Sequence, residues 1–209
     1  MSFAKLAPWA ALAALGAYHG LNPGMGWLFA VARGLQEKRR SEIFLAVWPI
    51  AAGHEASIMA VLLATVALES VLAARWLRLL AAGILLVFAA ALLLRRRVHP
   101  KGFGMRVGYA GLAGWSFLMS SAHGAGLMIL PVFLGLTLAV QEPALPATIG
   151  DALLAGALHT GAMLVVMTAI ATVVYDRFGL AFLRRGWVNL DLVWAAALMV
   201  AALTVTFTA

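Results

Sequence analysis

Residues 7–31 read APWAALAALGAYHGLNPGMGWLFAV, a run of 25 residues without Asp, Glu, Lys or Arg. A helix needs about 20 mostly apolar residues to cross the hydrocarbon of a bilayer, and this run is long enough. The whole chain agrees, because 64% of its 209 residues are hydrophobic, 11% are charged and the mean hydropathy is +0.98. A water-soluble core cannot bury that much apolar surface. The chain is therefore predicted to be an all-α integral membrane protein.

The remaining sequence repeats this pattern of apolar stretches separated by basic segments. The fourth stretch is too long for one straight helix and contains Gly124, Gly126 and Pro131. We therefore expect a break, a strong tilt or an extension beyond the membrane within it. Six transmembrane helices are predicted, near residues 7–31, 43–67, 72–94, 108–139, 150–174 and 187–208.

Basic residues are distributed unevenly between the two sides of these spans. The segments that follow the first, third and fifth spans hold twelve Lys and Arg, and the other side holds three. The positive-inside rule then predicts a multi-pass protein of the cell's inner membrane, with both termini outside. The net charge of +7 is explained by lipid headgroups, so the bilayer and not nucleic acid is the expected partner. The chain has no cysteine, which excludes disulfides, thiolate metal sites and cysteine nucleophiles.

An internal repeat divides the chain into two halves. The pair His19-Gly20 is followed 35 residues later by His54, and His123-Gly124 is followed 36 residues later by His159. Each half then holds three spans, and because three is odd the halves must be inverted relative to each other, as in many secondary transporters. We predict two inverted three-helix repeats, at residues 1–98 and 108–209. A basic cytoplasmic joint at residues 99–107 connects them.

Four of the five histidines lie near the middle of a predicted span, and the fifth, His99, lies in the joint. A polar side chain without a partner is costly in hydrocarbon, so these four are expected to face the bundle interior. Neutral imidazole is the commonest ligand of transition metals, which makes a metal site one interpretation. Interhelical hydrogen bonds are the alternative. The candidate ligands are His19, His54, His123 and His159.

Methionines accompany these histidines, and thioethers favour softer ions. Met119 lies four residues before His123 and Met163 lies four after His159, so each pair shares a helix face. Met25 lies about two turns beyond His19. The alternative is that each Met fills a gap in an apolar core.

The run from Tyr18 to Gly26 should break or kink the first helix, because Pro23 and three glycines lie in the middle of the span. Pro23 has no N–H to donate to the carbonyl of His19, so we expect that oxygen to be free to meet a cation, a water or a side chain, and Asn22 could add a second oxygen ligand. A stripe of small residues spaced by four predicts close helix packing, and it consists of Gly16, Gly20 and Gly24.

Two carboxylates lie near the histidines in the sequence. Glu55 follows His54 and would be a second ionisable group at depth, where it could couple cation movement to protons. Adjacent helical residues point about 100° apart, so His54 and Glu55 cannot face one point squarely. Asp151 is expected to serve as an N-terminal helix residue that interacts with the helix dipole.

The run His19 to Gly26 reads H-G-L-N-P-G-M-G and resembles the H-A-L-x-P-G-H-G pattern of the NicO type of nickel and cobalt transporters, within the LysE-like transporter superfamily. Gly53 to Ile58 also looks similar to that family's second helix. The resemblance covers about the first 60 residues, and Met25 replaces the second histidine of the motif. It implies divalent cation transport with His19 and His54 as ligands, and the methionine admits a softer ion.

We therefore predict a transporter, not an enzyme, that carries a divalent or soft transition-metal ion through a site near the membrane midplane. Two alternatives stay open: a membrane protein that binds b-type haem, and an accessory subunit whose histidines only join helices. A homo-oligomer or a membrane-complex partner also fits. An intramembrane H-E-x-x-H protease is excluded, because Ile58 stands where the second histidine is needed. The predicted site comprises His19, Asn22, Met25, His54, Glu55, Met119, His123, His159 and Met163.

Overall fold

The computed structural model describes residues 3–69, 74–94, 107–140, 148–178, 199–200 and 202–203. This part of the chain is helical and contains no strand, which confirms the all-α prediction. A 3-10 turn at Pro23–Met25 joins the first two helices. The helices are α1 (Phe3–Leu21), α2 (Trp27–Glu37), α3 (Ser41–Glu69), α4 (Ala74–Leu94), α5 (Tyr109–Ala122), α6 (Ala125–Val140) and α7 (Ile149–Arg177).

Two of these helices are long and apolar enough to cross a membrane, over Ser41–Leu68 in α3 and Ile149–Arg177 in α7. A third candidate span consists of α5 together with α6 up to Leu134, two helices that meet at an angle of 60°. The predicted break in the fourth stretch is therefore confirmed. Residues 95–106, which include His99 and all of the basic joint except residue 107, and most of the sixth stretch at 187–208 lie outside the described residues.

The closest helix contacts are made through glycines. A Cβ atom added to Gly16 of α1 would lie 2.0 Å from the carbonyl oxygen of His159, and one added to Gly20 would lie 2.6 Å from that of Met163. These two positions confirm the predicted small-residue stripe, whereas Gly24 faces only its neighbour Asn22. Gly53 of α3 makes an equally close approach to the backbone of α5. The bundle is therefore built from two tight helix pairs, α1 with α7 and α3 with α5.

The directions of the helices follow from contacts along their lengths. In α3 and α5, Tyr109 donates a hydrogen bond to Glu42 near both starts, and Ser57 pairs with Ser121 further along, so these helices are parallel. The glycine contacts of α1 with α7 follow the same order along both helices, so α1 and α7 are also parallel. Arg40, just before α3, pairs with Asp176 at the end of α7, so α3 and α7 are antiparallel. Consequently α1 and α5 enter the bundle from opposite ends.

Both α1 and α5 stop inside the bundle. The helix α1 ends at Leu21, where the Asn22 side chain caps the 3-10 turn by accepting a hydrogen bond from the Gly24 N–H at 2.8 Å. The helix α5 ends at Ala122, and Gly124 then takes a φ of 68°, a conformation that favours glycine. The predicted break near Pro23 is therefore confirmed.

One detail of this break was predicted wrongly. The carbonyl of His19 is not free, because it accepts a hydrogen bond from the Asn22 N–H at 3.1 Å. Pro23 removes the donor four residues on, but the chain tightens after α1 and an N–H three residues on takes its place. The backbone oxygen of His19 is therefore already used by the fold.

A polar network closes the end of the bundle where α3 and α5 begin. Glu42 accepts hydrogen bonds from Arg33 Nε at 2.9 Å and from the Tyr109 hydroxyl at 2.8 Å. Arg33 also donates to the Val107 carbonyl at 3.3 Å and lies over the Tyr109 ring. The Glu42 carboxylate, through these two hydrogen bonds, holds α2 and α3 against the start of α5.

The start of α7 carries a capping box. The Thr148 hydroxyl accepts from the Asp151 N–H at 3.1 Å, and the Asp151 carboxylate accepts from the Thr148 N–H at 2.9 Å. The predicted role of Asp151 at the helix terminus is thereby confirmed.

We expect Thr148→Ala to lower the free energy of unfolding by about 1 kcal/mol, because the Asp151 N–H loses the hydroxyl that caps it. Thermal unfolding of the purified protein in mild detergent measures this loss. Metal binding should not change, and a large loss of binding would contradict the purely structural role of this cap.

Candidate metal site

Three histidines from three different helices meet at the centre of the bundle. They are His19 near the end of α1, His54 in the middle of α3 and His159 in α7. One ring nitrogen from each lies within 4.8 Å of the others, and all three side chains are completely buried. His54 follows His19 by 35 residues, and His159 follows His54 by 105 residues. The two tight helix pairs bring these three distant residues together.

The hydrogen bonds of two rings determine which nitrogen carries the proton. His19 Nδ1 lies 2.8 Å from the Leu15 carbonyl oxygen, and His159 Nδ1 lies 3.2 Å from the Leu12 carbonyl oxygen. A carbonyl oxygen can only accept, so both Nδ1 atoms must be donors. In a neutral imidazole the other nitrogen, Nε2, then keeps its lone pair. Metal-binding histidines are commonly held this way, with the second nitrogen bonded to a carbonyl.

The third ring is held by a hydroxyl instead. His54 Nδ1 is hydrogen-bonded to the Ser120 Oγ of α5, and His54 Nε2 lies 3.4 Å from His159 Nε2. The planes of the two rings are nearly parallel, with an angle of 9° between them. Tetrahedral coordination with metal to nitrogen bonds of about 2.0–2.1 Å requires ligand nitrogens about 3.3–3.4 Å apart. The spacing of His54 and His159 therefore matches both a hydrogen bond between the two rings and two ligands of one metal ion.

The fourth predicted histidine is not one of these three. His123 is buried at the C-terminal cap of α5, and its Nδ1 lies 2.8 Å from the Met119 carbonyl oxygen. His123 is therefore not a member of the cluster, and its Nδ1 is the donor to that carbonyl.

The other predicted site residues are spread around the cluster. Met25 is buried among Leu85, Met128 and neighbouring apolar side chains, and Met163 lies in a second apolar cluster. Met119 is half-buried on α5, and Asn22 is engaged as the cap of the 3-10 turn.

Glu55 is not part of the three-histidine cluster, although it is adjacent to His54 in the sequence. Its half-buried carboxylate accepts a hydrogen bond from the Thr160 hydroxyl and lies against Gly156 on α7. A Cβ at position 156 would overlap this carboxylate, so glycine there makes room for it. Glu55 and Thr160 form a second polar contact between α3 and α7, close to the imidazoles in sequence but on a different face of each helix.

Sequence reasoning missed three groups that hold the rings, the carbonyls of Leu12 and Leu15 and the hydroxyl of Ser120. Backbone carbonyls carry no sequence signal. Ser120 is fully buried and lies three residues before His123. This spacing indicates only that Ser120 is a polar residue on the same face of α5 as His123.

No protein-family model, curated protein or solved structure matches this chain.

Proposed function

We propose that this protein is a membrane transporter of transition-metal cations, and that the ion crosses as a substrate bound by His19, His54 and His159. The observation that carries the proposal is the convergence of three buried ring nitrogens within 4.8 Å, two of them with lone pairs directed away from backbone carbonyls. Three neutral imidazoles in an apolar bundle provide strong ligands and no fixed negative charge. Such a site binds a cation without a carboxylate having to enter the membrane interior.

The hydrogen bonds of the histidines support the two inverted repeats that the sequence predicts. His19 and His123 each bond the carbonyl four residues earlier in their own broken helix, both at 2.8 Å. His54 and His159 each bond the broken helix of the other half, through Ser120 of α5 and Leu12 of α1. The opposite directions of α1 and α5 fit the same relation. The six spans, the inner membrane and outward-facing termini belong to this proposal.

The packing suggests how such a site would open. His19 and His159 belong to the tight pair of α1 and α7, whereas His54 belongs to the pair of α3 and α5. Rocking of one pair against the other separates His54 from His159 and releases the ion without covalent chemistry. The moving units are then two helix pairs, each with one helix from each half, and not the two halves themselves.

The ligand set indicates the class of ion. Imidazole nitrogens suit zinc, copper, iron and nickel, and the three rings provide neither thiolate nor carboxylate. The resemblance of His19–Gly26 to nickel and cobalt transporters is in keeping with a borderline divalent ion. The methionines nearby favour a softer ion only if one of them approaches the cluster during transport.

The geometry does not favour the haem alternative. Two axial histidines bind haem iron from opposite faces of the porphyrin. A third ring nitrogen within 4.8 Å of both would occupy the plane where the porphyrin itself must lie. The three rings therefore suit a bare ion better than a macrocycle.

Metal uptake into vesicles tests the proposal. Purified protein is reconstituted into liposomes, and entry of Zn²⁺, Ni²⁺, Co²⁺ or Cu⁺ is followed with an enclosed metal-sensitive dye. Uptake above that of empty liposomes, lost in a His19→Ala/His159→Ala double variant, is the expected result. A folded wild-type protein that neither binds nor moves any of these ions would instead support the accessory subunit with structural histidines.

A further inference from the structure

Among the three imidazoles, His54 alone has a hydroxyl as the partner of its Nδ1. His19 and His159 face backbone carbonyls, which only accept, so their protons stay on Nδ1. The Ser120 hydroxyl can either donate to His54 Nδ1 or accept from it. The proton on His54 is therefore free to be on either nitrogen, while those of its two neighbours are not.

The state without an ion requires one of these tautomers. His159 Nε2 keeps a lone pair and lies 3.4 Å from His54 Nε2. Two lone pairs facing each other in a buried site would repel and remain unsatisfied. If His54 carries its proton on Nε2, it donates to His159, and its Nδ1 accepts the Ser120 hydroxyl proton. Hydrogen bonds then run in one direction: the Ser120 hydroxyl donates to His54, His54 donates to His159, and His159 donates to the Leu12 carbonyl.

The state with an ion requires the other tautomer. Each ring must offer the Nε2 lone pair to the metal, so His54 must carry its proton on Nδ1. The Ser120 oxygen then accepts that proton, and its own hydroxyl proton can turn toward a carbonyl of the preceding turn of α5. The site is again fully hydrogen-bonded.

We infer that Ser120 is a positioning residue that lets His54 exchange its two neutral tautomers as the ion enters and leaves. One proton leaves Nε2 and one binds Nδ1, by exchange with water, so His54 releases no net proton on metal binding. A carbonyl in place of Ser120 would keep the proton on Nδ1, and the Nε2 lone pairs of His54 and His159 would then face each other in the empty site. This inference rests on metal binding by the three histidines, as proposed above.

The chain provides a matched control for Ser120. The adjacent residue Ser121 also joins α5 to α3, through a 2.9 Å hydrogen bond to the hydroxyl of Ser57. Ser121→Ala therefore removes a serine hydrogen bond between the same two helices without touching a histidine. Ser120→Thr keeps a hydroxyl at the position and serves as the conservative variant.

The test combines affinity with direct observation of the tautomer. Full-length protein in detergent, labelled with ¹⁵N-histidine, is titrated with Zn²⁺, and the His54 signals are assigned by their loss in His54→Asn. We expect the His54 proton to be on Nε2 without metal and on Nδ1 with Zn²⁺. Ser120→Ala should weaken Zn²⁺ binding by about 10- to 100-fold, as loss of a partner behind a ligand usually does. Ser121→Ala and Ser120→Thr should bind nearly as the wild type does.

The outcomes separate this inference from the proposed function. Wild-type protein that binds Zn²⁺ with His54 in one tautomer throughout, or Ser120→Ala that binds as tightly as Ser121→Ala, would overturn the exchange and leave the metal site standing. Wild-type protein that binds none of Zn²⁺, Ni²⁺, Co²⁺ and Cu⁺ would overturn both. Ser120→Ala that unfolds in detergent leaves the tautomer measurement on the wild type to decide.

Discussion

Replacing His159 by Ala is expected to weaken Zn²⁺ binding by about 100-fold or more, beyond the loss typical of a residue that only supports a ligand. The change removes one of three ligand nitrogens and also the partner 3.4 Å from His54 Nε2. His19→Ala and His54→Ala should behave alike, because each takes one nitrogen from the same cluster. Calorimetric titration of the purified protein, together with metal content by mass spectrometry, measures the effect.

His123→Ala is the informative comparison for these variants. The sequence alone groups all four intramembrane histidines, whereas the cluster contains three of them. We expect His123→Ala to weaken Zn²⁺ binding by less than about 10-fold, since His123 is not one of the three clustered histidines. An equal loss in His123→Ala and His159→Ala would argue for the four-histidine site instead.

Gly16→Ala and Gly53→Ala are expected to prevent stable folding. In each case the new Cβ would lie 2.0 Å from a backbone carbonyl oxygen, of His159 and of Ala113 respectively, and backbone cannot move aside as a side chain can. Overpacking usually costs about 1–3 kcal/mol, and an overlap with backbone between two helices belongs at the high end. Gel filtration of the solubilised protein and its thermal unfolding in detergent measure the loss.

Two other glycines on the partner helices are matched controls for these variants. Gly161 on α7 and Gly114 on α5 have nothing within 4 Å of an added Cβ. Alanine at either position should be neutral or stabilise the helix by up to about 1 kcal/mol, because glycine is the poorer helix former. Equal damage from Gly161→Ala and Gly16→Ala would mean that the tight pairing of α1 with α7 is wrong.

Several features of the fold could be predicted because they depend on residues close together in the chain. Hydropathy identifies the apolar helices, and the properties of Pro23 and Gly124 predict where α1 and the α5–α6 segment break. The spacing of Gly16 and Gly20 predicts a close helix contact. Asp151 could be recognised as a residue of a helix start. Each of these signals is local, and local geometry is largely independent of the rest of the bundle.

The composition of the site could be predicted only in part, because it depends on how the helices are rotated and which of them meet. The sequence by itself determined that this protein is an all-helical membrane protein with polar, broken segments in its interior. Tertiary structure alone decided that His19, His54 and His159 converge while His123 is not among them. It also decided that the His19 carbonyl is used by Asn22, and that Ser120 holds His54. Helical periodicity gives the face of each residue, but contacts across 105 residues are set by the packing of whole helices against one another.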